Sequence, residues 1–364
     1  MSFNGAGVFV INSAGQPVVF NTIISETVFN ALTADLATGL SNCVTRDGQS
    51  PATADIPMGG FTLTGLGAGA AAGESIRYEQ WIAAHPLQIC EFRLTLTTGT
   101  PVTTADVVDV TPLYMTPYKG NRIALYNGTN WNVRTSAQIS VAGGLTASKV
   151  YDVFCYDNGG TPTLELLAWT NDTTRATALT TQDGVLVKTG ALTRRYLGTI
   201  RTNLSGNFVD GMANRWVWNY YNRILRPMRV LEATDSWNYT TATIRQANNA
   251  ATNQLDFVIG VSEDVVSANL MFAASNDTGG LGVSAAIGLD TTTAYTAGQL
   301  YASLTIIAAE TGQVRFGSAQ IKLYPGVGRH YLSWNEVSGA TGTTTWYGDQ
   351  GGANQSGIHG EVWC

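Results

Sequence analysis

Arg122-Ile123-Ala124-Leu125-Tyr126-Asn127-Gly128-Thr129-Asn130-Trp131-Asn132-Val133 is the stretch on which the fold turns. Two β-prone runs flank Asn127-Gly128. That dipeptide accepts the positive φ angles of a tight hairpin turn. Just upstream, Phe92, Leu94 and Leu96 alternate with Arg93, Thr95 and Thr97, so one face of a strand is expected inward and the other outward. Downstream the series continues with short strands over Tyr151–Tyr156, Leu164–Trp169, Gly184–Lys188 and Arg195–Ile200, with turns at Asp157-Asn158-Gly159-Gly160 and Asp183-Gly184. The run Arg215-Trp216-Val217-Trp218-Asn219-Tyr220-Tyr221-Asn222-Arg223 closes this block, and Pro227 is expected to interrupt it. Short strands at this spacing predict a sandwich or barrel.

Past residue 230 a second β domain is expected. Its strands fall at Ile244, Phe257-Val258-Ile259, Leu270-Met271-Phe272, Tyr301–Ile307, Gln320–Tyr324 and Tyr331–Trp334, with Thr343–Asp349 and Val362-Trp363-Cys364 closing the chain. No fixed-period repeat appears, which argues against a solenoid or propeller. The division is therefore 1–80, 81–230 and 231–364: an N-terminal arm with a helix, then β-sandwich or jelly-roll-like domains in an all-β chain.

The first part reads differently. Val8–Ile11 and Val18-Val19-Phe20 around Gly15-Gln16-Pro17 form two short strands or an arm. A helix should follow, capped by Ser25 with Glu26 in its first turn. Phe29, Leu32, Leu36, Gly39 and Cys43 share one seam, which Gly39 interrupts, so a short helix packing on a partner or on itself is expected. Gly48 and Pro51 end it. Residues 59–73 are dominated by Gly and Ala, bury little apolar area per residue ordered, and suit close packing of three identical chains on an axis. A flexible hinge is the alternative.

Composition narrows the function. Of 364 residues only 13% are charged, against about 25% for a typical domain, while 40 are Gly. Low charge favours a chain that hides surface in an oligomer. A net charge of −6 offers no positive field for nucleic acid. No leader-like start and no apolar run of membrane-spanning length is seen, so no membrane insertion is expected. Cys43, Cys90, Cys155 and Cys364 are scattered and read as free thiols, made in a reducing cytoplasm.

Residues 41–80 resemble the amino-terminal module of phage tail-fibre and related virion proteins. The likeness lies in Asn42-Cys43-Val44-Thr45-Arg46-Asp47-Gly48-Gln49, in Ile56-Pro57-Met58-Gly59-Gly60-Phe61-Thr62-Leu63-Thr64-Gly65-Leu66, and in Arg77-Tyr78-Glu79-Gln80. The middle block is similar to a domain of phage fibre-like proteins through Tyr118–Tyr126 and Trp216–Arg223. The resemblance implies a parallel homotrimer of the virion. It would be attached to other virion proteins through its N-terminal part, with Ile56, Pro57, Met58, Gly59, Gly60 and Phe61 in the anchoring segment, and would display its C-terminal part to a bacterial surface glycan or protein. No extended shaft separates module from body, so a short fibre, head fibre or decoration spike fits better than a long tail fibre. A purely structural decoration or connector is the alternative, and a polysaccharide-cleaving spike a third.

Candidate chemistry is sparse. Glycoside hydrolysis needs two carboxylates held apart across a sugar. Asp152, Asp157, Glu165, Asp172 and Asp183 are available, but no motif singles out a pair. His85, His330 and His359 lie far apart and outside any zinc motif, so neither a metal nor a cofactor is expected. His359 could reach an ion only on a three-fold axis. Trp334, Trp346 and Tyr347 are the candidate receptor contacts, as aromatic platforms for sugar, with Trp363 beside them and burial as the alternative. Arg194, Arg195, Arg201, Arg215, Arg223, Arg226 and Arg229 could meet an acidic partner or pair with Asp and Glu inside the assembly.

Overall fold

The computed structural model describes residues 19–41, 52, 55–56, 58–72, 74–77, 87–278, 281–306 and 311–364. The chain divides into two units, 1–81 and 82–364. In the first, the helix is Glu26–Ser41, and the Val28 amide donates to Ser25 Oγ at 3.3 Å, the cap the sequence predicts. Cys43 and Pro57 lie outside the described residues.

The second unit is β-rich. Leucine, valine and aromatic residues at alternate positions close its strands over shared cores. The hairpin read from Asn127-Gly128 pairs Arg122–Tyr126 with Trp131–Thr135 in antiparallel register, Tyr126 opposite Trp131. Phe92–Thr95, Leu113–Pro117 and Ile139–Val141 form a three-stranded sheet. It packs on a six-stranded sheet that contains Val150–Asn158 and Ala191–Arg201, through Phe92, Leu94, Met115, Val153 and Ile200. An eight-stranded sheet containing Gln254–Ile259, Leu281–Leu289 and Gly328–Val337 shares a second core with a seven-stranded sheet built around Val266–Asn276. Two sheets closed over one apolar layer fit a β-sandwich.

The boundary expected at 230/231 does not separate two bodies. Leu225–Leu231 pairs along its whole length with Gly357–Trp363, and Asn214–Arg215 runs parallel to Gln254–Ile259. Phe154, Tyr196 and Trp218 lie in the same core as Leu255, Phe272 and Trp346. Sequence-distant strands supply the missing halves of each other's sheets, so 82–364 is one unit. Pro227 does not interrupt the chain either. It sits inside Leu225–Leu231, a strand with a neighbour on one side only, where a residue without an N–H costs no ladder bond.

Period two also misjudged Phe92–Thr95. Arg93 and Thr95, expected outward, are buried along with Phe92 and Leu94. Arg93 reaches three carbonyls, those of Pro101, Asn222 and Cys364. A polar face can be buried when its partners are backbone oxygens left over outside the strands.

Candidate functional site

Two of the three aromatic residues expected as receptor contacts, Trp334 and Trp346, are not available as platforms. Trp334 points inward from Gly328–Val337 and is 1% exposed, and Trp346 is fully buried beside Phe272, ring centres 5.6 Å apart. Their indole nitrogens have no hydrogen-bond partner. Both are core anchors, because period two on these strands turns them toward the shared layer. Tyr347, the next residue on its strand, is half-buried, with its hydroxyl 3.0 Å from Ser275 Oγ.

A cleft of about 250 Å³ opens elsewhere, where the chain bends out of Val217–Asn219. Trp216, Trp218 and Asn219 are buried, and the four residues after Asn219, Tyr220 to Arg223, come half-way to the surface. The tip of the hairpin joining Leu179–Gln182 to Val185–Lys188 supplies the opposite wall through Gly184 and Val185, and Gln88 stands at the rim. The rings of Tyr220 and Tyr221 meet edge to face, 4.8 Å apart at 78°. Arg223 lies over Trp218 at 5.1 Å and forms ion pairs with Glu263 and Asp264.

This corner is held from behind. Asn222 takes the left-handed φ of 55° that asparagine tolerates, and its Nδ2 donates to the Cys90 carbonyl at 2.8 Å and the Phe92 carbonyl at 3.1 Å. Arg195, buried, donates to the carbonyls of Leu87, Gln88 and Ala124 and to the Tyr221 hydroxyl, and stacks 4.6 Å from the Tyr221 ring. Burial raises the Tyr221 hydroxyl to about 12, so it stays a neutral phenol. On the facing hairpin, Asp183 accepts from Trp131 Nε1 at 2.9 Å.

The other arginines are also placed within the chain. Arg194 and Lys188 share Glu165, Arg215 and Arg226 converge on Asp210, and Arg201 faces Asp172 at 3.9 Å. Arg229 is exposed on its strand. Burial raises the Asp210 carboxyl despite its arginine neighbours. Of the carboxylates considered for hydrolysis, Asp152 is tied to Arg175 and Thr199, Asp157 to Arg134, and Asp183 to Trp131. His330 bonds Asp290 at 2.8 Å, His359 is exposed on Gly357–Trp363, and His85 lies outside the described residues. Among the described residues, no cluster of three or more His, Cys, Asp or Glu is placed to hold a metal ion. Cys90, Cys155 and Cys364 are buried free thiols, and burial pushes Cys155 and Cys364 up to about 12. No helix among the described residues is long and apolar enough to cross a membrane.

In the first unit the segment expected to anchor is laid out in the open. Gly59 and Gly60, φ 59° and 87°, form a tight turn that the Phe61 amide closes on the Met58 carbonyl at 2.9 Å. Two successive positive φ angles explain the paired glycines. The turn leaves Phe61 81% exposed, and upstream Phe20 and Ile23 are 95% and 91% exposed. Ile56, Leu63 and, on the helix, Phe29, Leu36 and Leu40 are exposed as well.

No protein-family model matches the chain, and no curated protein sequence does. Among solved structures it is similar to the insecticidal delta-endotoxin Cry8Ea1 of Bacillus thuringiensis, at 7% identity and a TM-score of 0.24, over 82% of this chain and 58% of the toxin. The chain thus spans less than two thirds of the toxin's length. It is similar also to the structure of infectious bursal disease virus, Gt strain, at 11% identity and a TM-score of 0.25, over 75% of this chain and 73% of that one. With TM-scores this far below 0.5, nothing about function is taken from either.

Tyr220 to Arg223 were visible in the sequence as an aromatic run closed by an arginine. What the run alone lacks is the point at which it leaves the core. Trp216, Trp218 and Tyr220 carry the same alternating signal, and only the bend after Asn219 sets the last apart.

Proposed function

We propose that the chain is a structural and adhesive protein of a bacteriophage particle, a short fibre or spike. It assembles as a parallel homotrimer, docks on other virion proteins through residues 1–80, and displays the β-rich unit 82–364 to the bacterial surface. The sequence resemblance of residues 41–80 motivates this reading. The observation that carries it is the set of large apolar side chains, Phe20, Ile23 and Phe61 foremost, exposed among the described residues of 1–81. Such side chains gain stability only when a neighbour covers them. Unit 82–364, by contrast, fills its own cores and can stand outward. Because its two halves share sheets, the displayed part is the whole unit rather than 231–364 alone.

The test uses antibodies raised against 82–364. They should label intact particles and block adsorption to the host cell. Particles of full infectivity that carry none of this protein, measured by mass spectrometry, would remove the reading.

A further inference from the structure

We infer that the outward face of the seven-stranded sheet is where copies of this chain meet, Glu361 of each copy against Lys322 of the next; this deepens the homotrimer of the proposed function and rests on it. The sheet runs in the order Leu225–Leu231, Gly357–Trp363, Val266–Asn276, Arg315–Leu323 and Leu300–Tyr301. Its inward face carries Met228, Ile358, Leu270 and Phe272 into the core. The outward face is left to solvent in a single copy.

An antiparallel sheet that faces water normally turns polar residues outward. This one does not. Leu225, Leu231, Met271, Leu300, Phe316 and Trp363 are all exposed. The register sets them on one side: Leu225 lies opposite Trp363, Leu231 and Met271 both lie opposite Gly357, and Leu300 lies opposite Gln320 on the strand that carries Phe316. They are half of the large apolar side chains exposed among the described residues of 82–364, so the excess belongs to this face rather than to the unit at large. Five strands about 4.8 Å apart, on strands of up to about nine residues at about 3.4 Å each, make a face of about 24 Å by 30 Å, or about 700 Å². Two such faces bury about 1,400 Å², which is within the range of stable, specific interfaces.

Charge says what covers the face. Ser267 has Glu361 opposite it on one neighbouring strand and Lys322 opposite it on the other, so the two charges stand at one level. Both are exposed, and neither has an ion-pair partner among the described residues. Rotation about an axis parallel to the strands keeps each level in place. It brings the Gly357–Trp363 side of one copy to the Arg315–Leu323 side of the next, and Glu361 to Lys322. A three-fold ring repeats that contact until it closes and leaves no copy with an open half. Opposite charges at one level, set among apolar side chains, are what a surface that meets itself requires.

The experiment is disulfide trapping on the purified full-length protein. In the double variant Glu361→Cys with Lys322→Cys, the two positions of one chain lie two strand spacings apart, about 9.6 Å, which is beyond disulfide reach. A bond between them therefore joins two copies. With oxidised glutathione the double variant should run as a covalent trimer on a non-reducing gel, and peptide mapping should find position 361 joined to position 322. The parent protein and each single variant should give no such band, since Cys90, Cys155 and Cys364 are buried. Met271→Arg, added at an exposed position on the same face, should cut the trapped yield about tenfold. Thermal midpoints report that the variants keep the fold. Monomers in sedimentation at micromolar concentration, oligomers in which 361 and 322 do not join, or a yield that Met271→Arg leaves unchanged would overturn the inference. A trimer without this bond leaves the virion reading standing, and particles that lack the protein leave the bond intact.

Discussion

Residues 1–81 and 82–364 solve opposite problems with the same kinds of residue. In the second unit Trp334, Trp346, Leu255 and even Arg195 and Arg93 are inside, the polar atoms of the two arginines met by backbone carbonyls, although Leu204, Leu300 and Phe316 stay exposed. In the first, Phe20, Ile23 and Phe61 face outward, and bonding among the described residues is local: a helix, a Gly-Gly turn, and Glu74 accepting from the Ala71 amide. Among the described residues, apolar content alone therefore does not set burial. What matters is whether the same chain supplies something to cover the apolar side chain.

The comparison can be broken most easily at the cores. Trp346→Ala and Trp334→Ala should each cost about 3–5 kcal/mol in denaturant unfolding, the range for removing a buried aromatic. Phe61→Ala should move the same transition by less than about 0.5 kcal/mol, as a substitution at an exposed site does, while lowering incorporation into particles. A large loss from Phe61→Ala would mean that the first unit contributes to the fold of the second.

Arg195→Met comes next. It keeps the stem but leaves the Leu87, Gln88 and Ala124 carbonyls without their donor, and about 3 kcal/mol should be lost by chemical denaturation. A near-neutral outcome would show that water replaces the guanidinium, and that this region is less closed than its geometry implies.

Glu336 gives a pH dependence of comparable size. Burial pushes its carboxyl up to about 7 from an ordinary 4.5, although Trp237 and Arg245 both donate to it. The folded state then binds the proton more tightly than the unfolded chain. Its contribution is full below about 4.5 and is lost as pH rises through about 7, up to about 3 kcal/mol in all. Melting temperature should rise on acidification across that window. Glu336→Gln, which keeps an acceptor for Trp237, should remove that slope. A slope unchanged in the variant would assign it to another group.

Much of the second unit was legible in the sequence, for a physical reason. Alternation at period two together with Asn127-Gly128 specifies a hairpin locally, whereas its register, Tyr126 opposite Trp131 with residues 127–130 between them and a positive φ at Gly128 but not at Asn127, is not that of a two-residue turn. The 230/231 boundary was not legible. It depends on Leu225–Leu231 meeting Gly357–Trp363 more than a hundred residues later, and no local pattern encodes which strands meet. Trp334 and Trp346 show the same limit at the level of a site: tryptophan in a strand signals either a platform or a core anchor, and partners distant in sequence decide which. In the first unit the Ser25 cap was legible because capping is local.

That cap gives the smallest effect. Ser25→Ala should cost about 1 kcal/mol within the helix Glu26–Ser41 and leave the unfolding of 82–364 unmoved. Far-ultraviolet circular dichroism would register the lost helix, and near-ultraviolet signals from the buried tryptophans would not change.

The most direct test of the two-unit account is differential scanning calorimetry of the 82–364 fragment beside the full-length chain. The account predicts one cooperative transition in the fragment, within about 2 °C of the corresponding transition in the full chain, because its cores are filled by its own residues. A fragment that melts broadly, or many degrees lower, would contradict it.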